Sequence, residues 1–370
     1  MSNFKPPTSQ AKVPTKVYTP WVPPVVPRPP WIREPLSQEE LLSPSLSKLF
    51  SMFQYMRPHG SDAEAAFVKR FIDVIPGVTK DTFGNRFVNV KNEDGNNSRV
   101  LWSSHVDTVH KKSGAQKIRC SNNYITLSDK ETEATCLGAD DTSGVWLMLE
   151  MIEAKVPGLY VFHRGEERGG LGSARVASEQ VELLKQYRYA IAFDRKGYSS
   201  IITSQGIPTA SDEFAEELGL SIGLPLFKDD TGSFTDTAHY THLISECTNV
   251  STGCFNCHSK SEKQDIRYLF QLRDAMVYRF KEADLHYYRD PADVWASKAK
   301  GSKVQGKVLK TRSTGNSFID FDDMIFDEND IAELCRKHPA AVAAFMVNDL
   351  GVTFDEVNDY VYMETVRKVF

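Results

Sequence analysis

Val100-Leu101-Trp102-Ser103-Ser104-His105-Val106-Asp107-Thr108-Val109 is the stretch that sets the architecture. Its first five residues read as an apolar strand, and chemistry-bearing side chains follow directly at the strand's C-terminal end. Open α/β sheets collect ligand groups at that edge. His105 and Asp107 are two apart on an extended chain, so they point to one side about 7 Å apart at ~3.3 Å rise per residue. That spacing suits an imidazole on a metal with a carboxylate oriented toward it.

Working outward, further short β-rich runs alternate with helical ones. Arg86 to Val90, Tyr124 to Leu127, Leu159 to His163, Tyr189 to Phe193 and Cys247 to Val250 read as strands. Helical spacing appears over Ser37 to Tyr55, Ser61 to Ile75, Ser143 to Ala154, Gly172 to Tyr187, Ser211 to Leu218 and Ser261 to Ala283. Ser61 to Glu64 and Ser261 to Gln264 each have the form of a capping box. Such alternation predicts an α/β fold, a three-layer sandwich with a mixed, largely parallel central sheet flanked by helices, plus a small helical C-terminal appendage.

Four more stretches join the first at predicted strand ends. Leu137-Gly138-Ala139-Asp140-Asp141-Thr142-Ser143-Gly144 runs straight into a helix, and Asp141 there reads equally well as a helix cap. His163-Arg164-Gly165-Glu166-Glu167-Arg168-Gly169-Gly170 places two acids among glycines. Asp194 closes an apolar strand, and Gly253-Cys-Phe-Asn-Cys-His258-Ser-Lys-Ser-Glu262 brings a second imidazole. Two His and at least three carboxylates, with two acids left over, form the donor set of a two-metal hydrolytic centre. Zinc, manganese and cobalt all accept oxygen and imidazole donors. Cys254-x-x-Cys257-His258 also matches a haem-attachment string and half of a thiolate zinc site. No export signal accompanies the former, and no second close cysteine pair completes the latter.

The order His-x-Asp, Gly-x-Asp-Asp, Gly-Glu-Glu-x-Gly, Asp, His resembles the co-catalytic zinc peptidases. That family includes acetylornithine deacetylase, peptidase T, glutamate-releasing carboxypeptidases and bacterial leucyl aminopeptidases. The resemblance covers roughly residues 45 to 285. It implies that Asp140 bridges two divalent ions, that His105 and Asp194 complete one site, and that Glu167 and His258 complete the other. Glu166 would be the general base, Asp107 would orient His105 or tune its metal, and the Asp140–Asp141 peptide would be cis. Gly232, Asp236 and His239 lie in a stretch similar to the family's substrate pocket, with His239 and His242 as alternatives for the last ligand. Only 64 residues separate Asp194 from His258, so the lid domain of some members has no room.

The resemblance implies a metal-dependent hydrolase, an aminopeptidase or exopeptidase on short peptides, using two ions, zinc first. An N-acyl amino acid deacylase is the neighbouring activity. Glutaminyl cyclases share the lidless layout with one zinc, and a binding or assembly protein on the peptidase fold is the reading from another class.

The flanks differ in texture. The chain has 370 residues, 25% charged and 41% hydrophobic, with a net charge of −5, which suits a globular protein and gives no reason to expect nucleic acid. Neither a membrane span nor an apolar signal core is read, so a cytoplasmic protein with reduced thiols is expected. Eleven of the 18 Pro fall in the first 44 residues. Residues 1–36 therefore read as a polyproline-like arm. Through Trp21 and Trp31 it could dock a protein partner or a second subunit, against the plainer reading of an arm lying on its own domain. Residues 37–290 form the catalytic domain, 291–317 a basic linker and 318–370 an acidic helical appendage.

Overall fold

The computed structural model describes residues 33–292. The arm through residue 32, most of the basic linker and the whole appendage lie outside the described residues. An eight-stranded sheet forms the middle layer, in the order Phe227–Asp229, Ser200–Ile202, Glu246–Ser251, Tyr189–Arg195, Val100–His105, Gly158–His163, Arg86–Val90 and Thr79–Lys80. The four central strands, Glu246–Ser251 through Gly158–His163, run parallel. Antiparallel pairs flank them on both sides. His105 sits opposite His163 and Ser103 opposite Ala192, so three strands end together at one edge.

Both faces of these strands are buried, and the period-two alternation of side chains sorts them between two cores. Val100, Trp102, Tyr160, Phe162, Ile191 and Phe193 point to one core, where helices Ala139–Glu153, Asp212–Ile222 and Ile266–Tyr278 cover the sheet. Leu101, Leu159, Val161, Ala190 and Cys247 point to the other, under helix Leu171–Glu179. Trp102 stacks on Phe193 at 5.7 Å and donates its indole N–H to the Pro157 carbonyl. A buried indole is tolerated because that donor is satisfied.

Several expected elements change. The helix expected from Ser37 is two, Gln38–Leu41 and Pro44–Met52, because Pro44 starts a new helix capped by Ser43. Gly172 to Tyr187 likewise splits at Gln180 into Leu171–Glu179 and Val181–Leu184. Ser61 caps Asp62–Phe71 as expected, but Glu64 does not return to Ser61; it takes the Gly60 N–H and the Arg164 guanidinium. The capping box at Ser261 is overturned. Lys263–Asp265 is a strand, pairing with Cys254–Phe255 and Tyr124–Leu127, and helix Ile266–Tyr278 is capped by Asp265. Among the described residues no helix is long and apolar enough to cross a membrane.

Candidate metal centre

Each acid and imidazole of the five stretches arrives at the same sheet edge by a different route. His105 ends its strand, Asp194 closes the neighbouring one, and the Gly165–Arg168 turn follows the third. Asp140 precedes the regular part of helix Ala139–Glu153 across a cis peptide to Asp141. His258 reaches in from the turn between Cys254–Phe255 and Lys263–Asp265.

The donor atoms of His105, Asp140 and Asp194 lie within 4.8 Å of one another, and so do those of Asp140, Glu167 and His258. Asp140 is common to both groups. Its Oδ1 is 2.9 Å from His105 Nε2 and its Oδ2 is 3.1 Å from His258 Nε2. Asp194 Oδ1 approaches His105 Nε2 at 3.7 Å, and Glu167 Oε1 approaches His258 Nε2 at 3.2 Å. Those two carboxylate oxygens are buried and accept no hydrogen bond. Buried anionic oxygens without donors are costly unless a cation faces them, so the donor set fits two divalent ions sharing one carboxylate.

The electrostatics agree. Burial pushes the carboxyl of Asp194 up to about 7, with the charge of Asp140 adding to it. Glu166 is raised well above the usual carboxylate range by burial and by Asp194 and Glu167, although His105 opposes this. Burial lowers an imidazole, yet the carboxylates of Asp140 and Glu167 beside it push His258 up to about 12. Asp140 is held well below its ordinary range, against burial, by the two imidazoles. So much negative charge in one buried place calls for positive charge.

Carboxylates outside the two groups hold the loops in place. Asp107 accepts the backbone N–H groups of Gly165 at 2.8 Å, Glu166 at 3.2 Å and Glu167 at 3.3 Å. It meets His105 mainly through its own carbonyl oxygen, 3.1 Å from Nδ1, with the carboxylate at 3.7 Å. Asp141 caps the helix by accepting from the Gly144 N–H at 2.8 Å and also takes the Ser104 hydroxyl. Glu262 accepts the N–H groups of Leu137, Gly138, Ala139 and Asp140. Thr235 donates its hydroxyl to Asp194 Oδ2 at 2.7 Å. Neither partnership was visible in sequence, because Glu262 lies 122 to 125 residues from its donors.

The expected substrate residues are placed less uniformly. Asp236 is 1% exposed and faces His163 Nδ1 at 3.2 Å, in the interior rather than on an open wall. Gly232 packs on Ile202 and the Ser204 backbone. His239 is partly buried, with Nδ1 2.8 Å from the Ser173 hydroxyl and its ring against Phe234. It is His258, and neither His239 nor His242, that meets Asp140. Cys254 and Cys257 form a disulfide, which corrects the expectation of six reduced thiols.

Residues 85–224 match the model of Peptidase family M28, a span that includes His105, Asp140, Glu166, Glu167 and Asp194. No curated protein matches the sequence. Aminopeptidase PepT from Bacillus cereus ATCC 10987 superposes with a TM-score of 0.52 at 14% identity, over 64% of this chain and 97% of that one. A tripeptidase from Staphylococcus aureus gives 0.52 at 14%, over 65% and 98%. The dodecamer PhTET1-12s gives 0.50 at 16%, over 65% and 100%. These likenesses establish the fold, and with the family match they bear out the resemblance to the co-catalytic zinc peptidases.

Proposed function

We propose that this chain is a metal-dependent exopeptidase, an aminopeptidase on short peptides, with two divalent ions held by His105, Asp140, Glu167, Asp194 and His258. The single observation that carries the reading is the Asp140 carboxylate, which offers one oxygen to each of two imidazole–carboxylate groups. Zinc ranks first for such a mixed set, and manganese or cobalt fits the same donors. Divalent ions held by these residues would supply the Lewis acidity that lowers the pKa of a water and polarises the scissile carbonyl.

The remaining work belongs to side chains. Glu166 takes the proton from the attacking water and returns it to the leaving amine, a task that needs a carboxyl with high proton affinity. Burial supplies that affinity, and the Asp107 carboxylate fixes the Glu166 backbone. Glu167, next in the chain, turns to His258 instead, so the adjacent acids serve different partners. The short interval from Asp194 to His258 is filled by strands and helices of the core, with no separate lid domain inserted in it.

Elemental analysis of the purified protein beside turnover of a peptide series tests this. Two ions per chain and release of amino-terminal residues are expected. Glu166→Ala should keep both ions and lose about 10²- to 10⁴-fold in turnover. An unchanged rate would end the general-base role. Preference for N-acyl amino acids over free peptides would move the reading to a deacylase, and one ion per chain would move it to the cyclase branch. Absence of ions, with no hydrolysis restored by added zinc, manganese or cobalt, would leave a binding or assembly protein.

A further inference from the structure

Cys254-x-x-Cys257 is the motif that the peptidase reading leaves unused. Its disulfide spans three residues at the mouth of the turn that carries His258. Cys254 pairs with Gln264 and Phe255 with Lys263, so the turn between them is closed at its base. Inside it, Asn256 and His258 hold left-handed backbone at φ 53° and 65°, which non-glycine residues keep only where the surroundings fix them. Cys257 anchors the chain one residue before the imidazole. At the other end, Cys254 Sγ lies 3.7 Å from Glu262 Oε1, the oxygen that accepts the N–H groups of Ala139 and Asp140. Cys254 thus bears through Glu262 on Asp140, which both groups share, while Cys257 bears on His258, which only the Asp140–Glu167–His258 group contains.

We propose that Cys254 and Cys257 are a reversible thiol–disulfide modification site that sets the cation affinity of the Asp140–Glu167–His258 half of the centre, with a dithiol as its reductant. The inference rests on the two-ion reading above. Cys254 is buried and Cys257 partly exposed, so exchange starts at Cys257. A thiolate of the dithiol attacks Cys257 Sγ, and the Cys254 sulfur leaves with the bonding pair and takes up a proton. The second thiolate of the dithiol then closes on its own mixed-disulfide sulfur and releases Cys257. Two electrons pass, one disulfide becomes two thiols, and the dithiol ends as a cyclic disulfide. The new Cys254 S–H competes for Glu262 Oε1, and the His258 turn loses its tie. Groups that orient metal ligands from behind typically change affinity by about 10- to 100-fold. A bond closing so short a loop adds little to global stability, so the effect is local.

The test compares ion-free protein prepared without reductant with the same protein treated with dithiothreitol and desalted under nitrogen. Thiol labelling and mass spectrometry report the state of Cys254 and Cys257, and calorimetric titration with zinc reports each affinity. One of two affinities should fall by about 10- to 100-fold on reduction and recover on reoxidation. The double variant Cys254→Ser, Cys257→Ser should behave like reduced protein under both conditions. Two ions bound equally well in both states would overturn the inference and leave the two-ion reading standing. A thiolate-to-cobalt absorption band in reduced protein would put the ion on sulfur and overturn it too. No ion bound in either state would overturn both.

Discussion

Asp107 and Glu262 act on the centre through backbone amides. Three successive N–H groups converge on the first and four on the second, the arrangement by which turns bind anions. A carboxamide of the same shape keeps one acceptor oxygen and turns a donor toward those N–H groups. Glu262→Gln and Asp107→Asn should each weaken ion binding by about 10- to 100-fold while the far-ultraviolet dichroism stays that of the parent. Unchanged zinc affinity in a competition titration would remove the positioning role. At this scale the proposed ligand residues were legible from the order of the five motifs taken together, since each motif alone has ordinary structural alternatives. Asp107 and Glu262 were not legible in these roles, since an acid that grips amides leaves no spacing signature of its own.

Helix Ala139–Glu153 meets the Tyr189–Arg195 strand at Gly144, and that contact sets Asp140 beside Asp194. A Cβ at Gly144 would collide with the Asp141 carboxylate and the Phe193 carbonyl oxygen. Alanine for glycine inside a helix ordinarily stabilises by about 1 kcal/mol. Here Gly144→Ala should instead lower the midpoint of thermal unfolding of the ion-free chain, and a rise would contradict the close packing. The central strands were readable because alternation between two buried faces leaves long apolar runs. Lys263–Asp265 was not, since Lys-Gln-Asp has little strand preference and is extended only because Cys254–Phe255 and Tyr124–Leu127 pair with it.

For the molecule as a whole, the crowded acids make stability depend on pH. Asp194 and Glu262 titrate near 7 when folded, against about 4 when unfolded. Between those values the folded chain keeps protons that the unfolded chain has released, so stability falls as pH rises. The raised imidazoles of His105 and His258 continue the same sign above their ordinary value. Calorimetry of ion-free protein should show the unfolding temperature dropping from pH 5 to pH 8, and saturating zinc should flatten that drop; a rise over the interval would refute the assignment. Removal of residues 1–32 should leave ion stoichiometry intact and change association in light scattering or the range of peptides cleaved. Arg33, next to that segment, is held to the core through its N–H to Gln271 and through its guanidinium to Glu40. Loss of ion binding would make the arm part of the core. By itself the sequence determined the α/β class and the order of the chemical motifs, because periodicity and residue chemistry are local, whereas the choice of His258 over His239 and His242 waited for the structure. Only the tertiary structure decided that Asp140 faces both imidazoles, that Asp107 and Glu262 clamp the loops and that Asp236 is interior. Those facts depend on which distant backbone groups the sheet edge brings within hydrogen-bond reach.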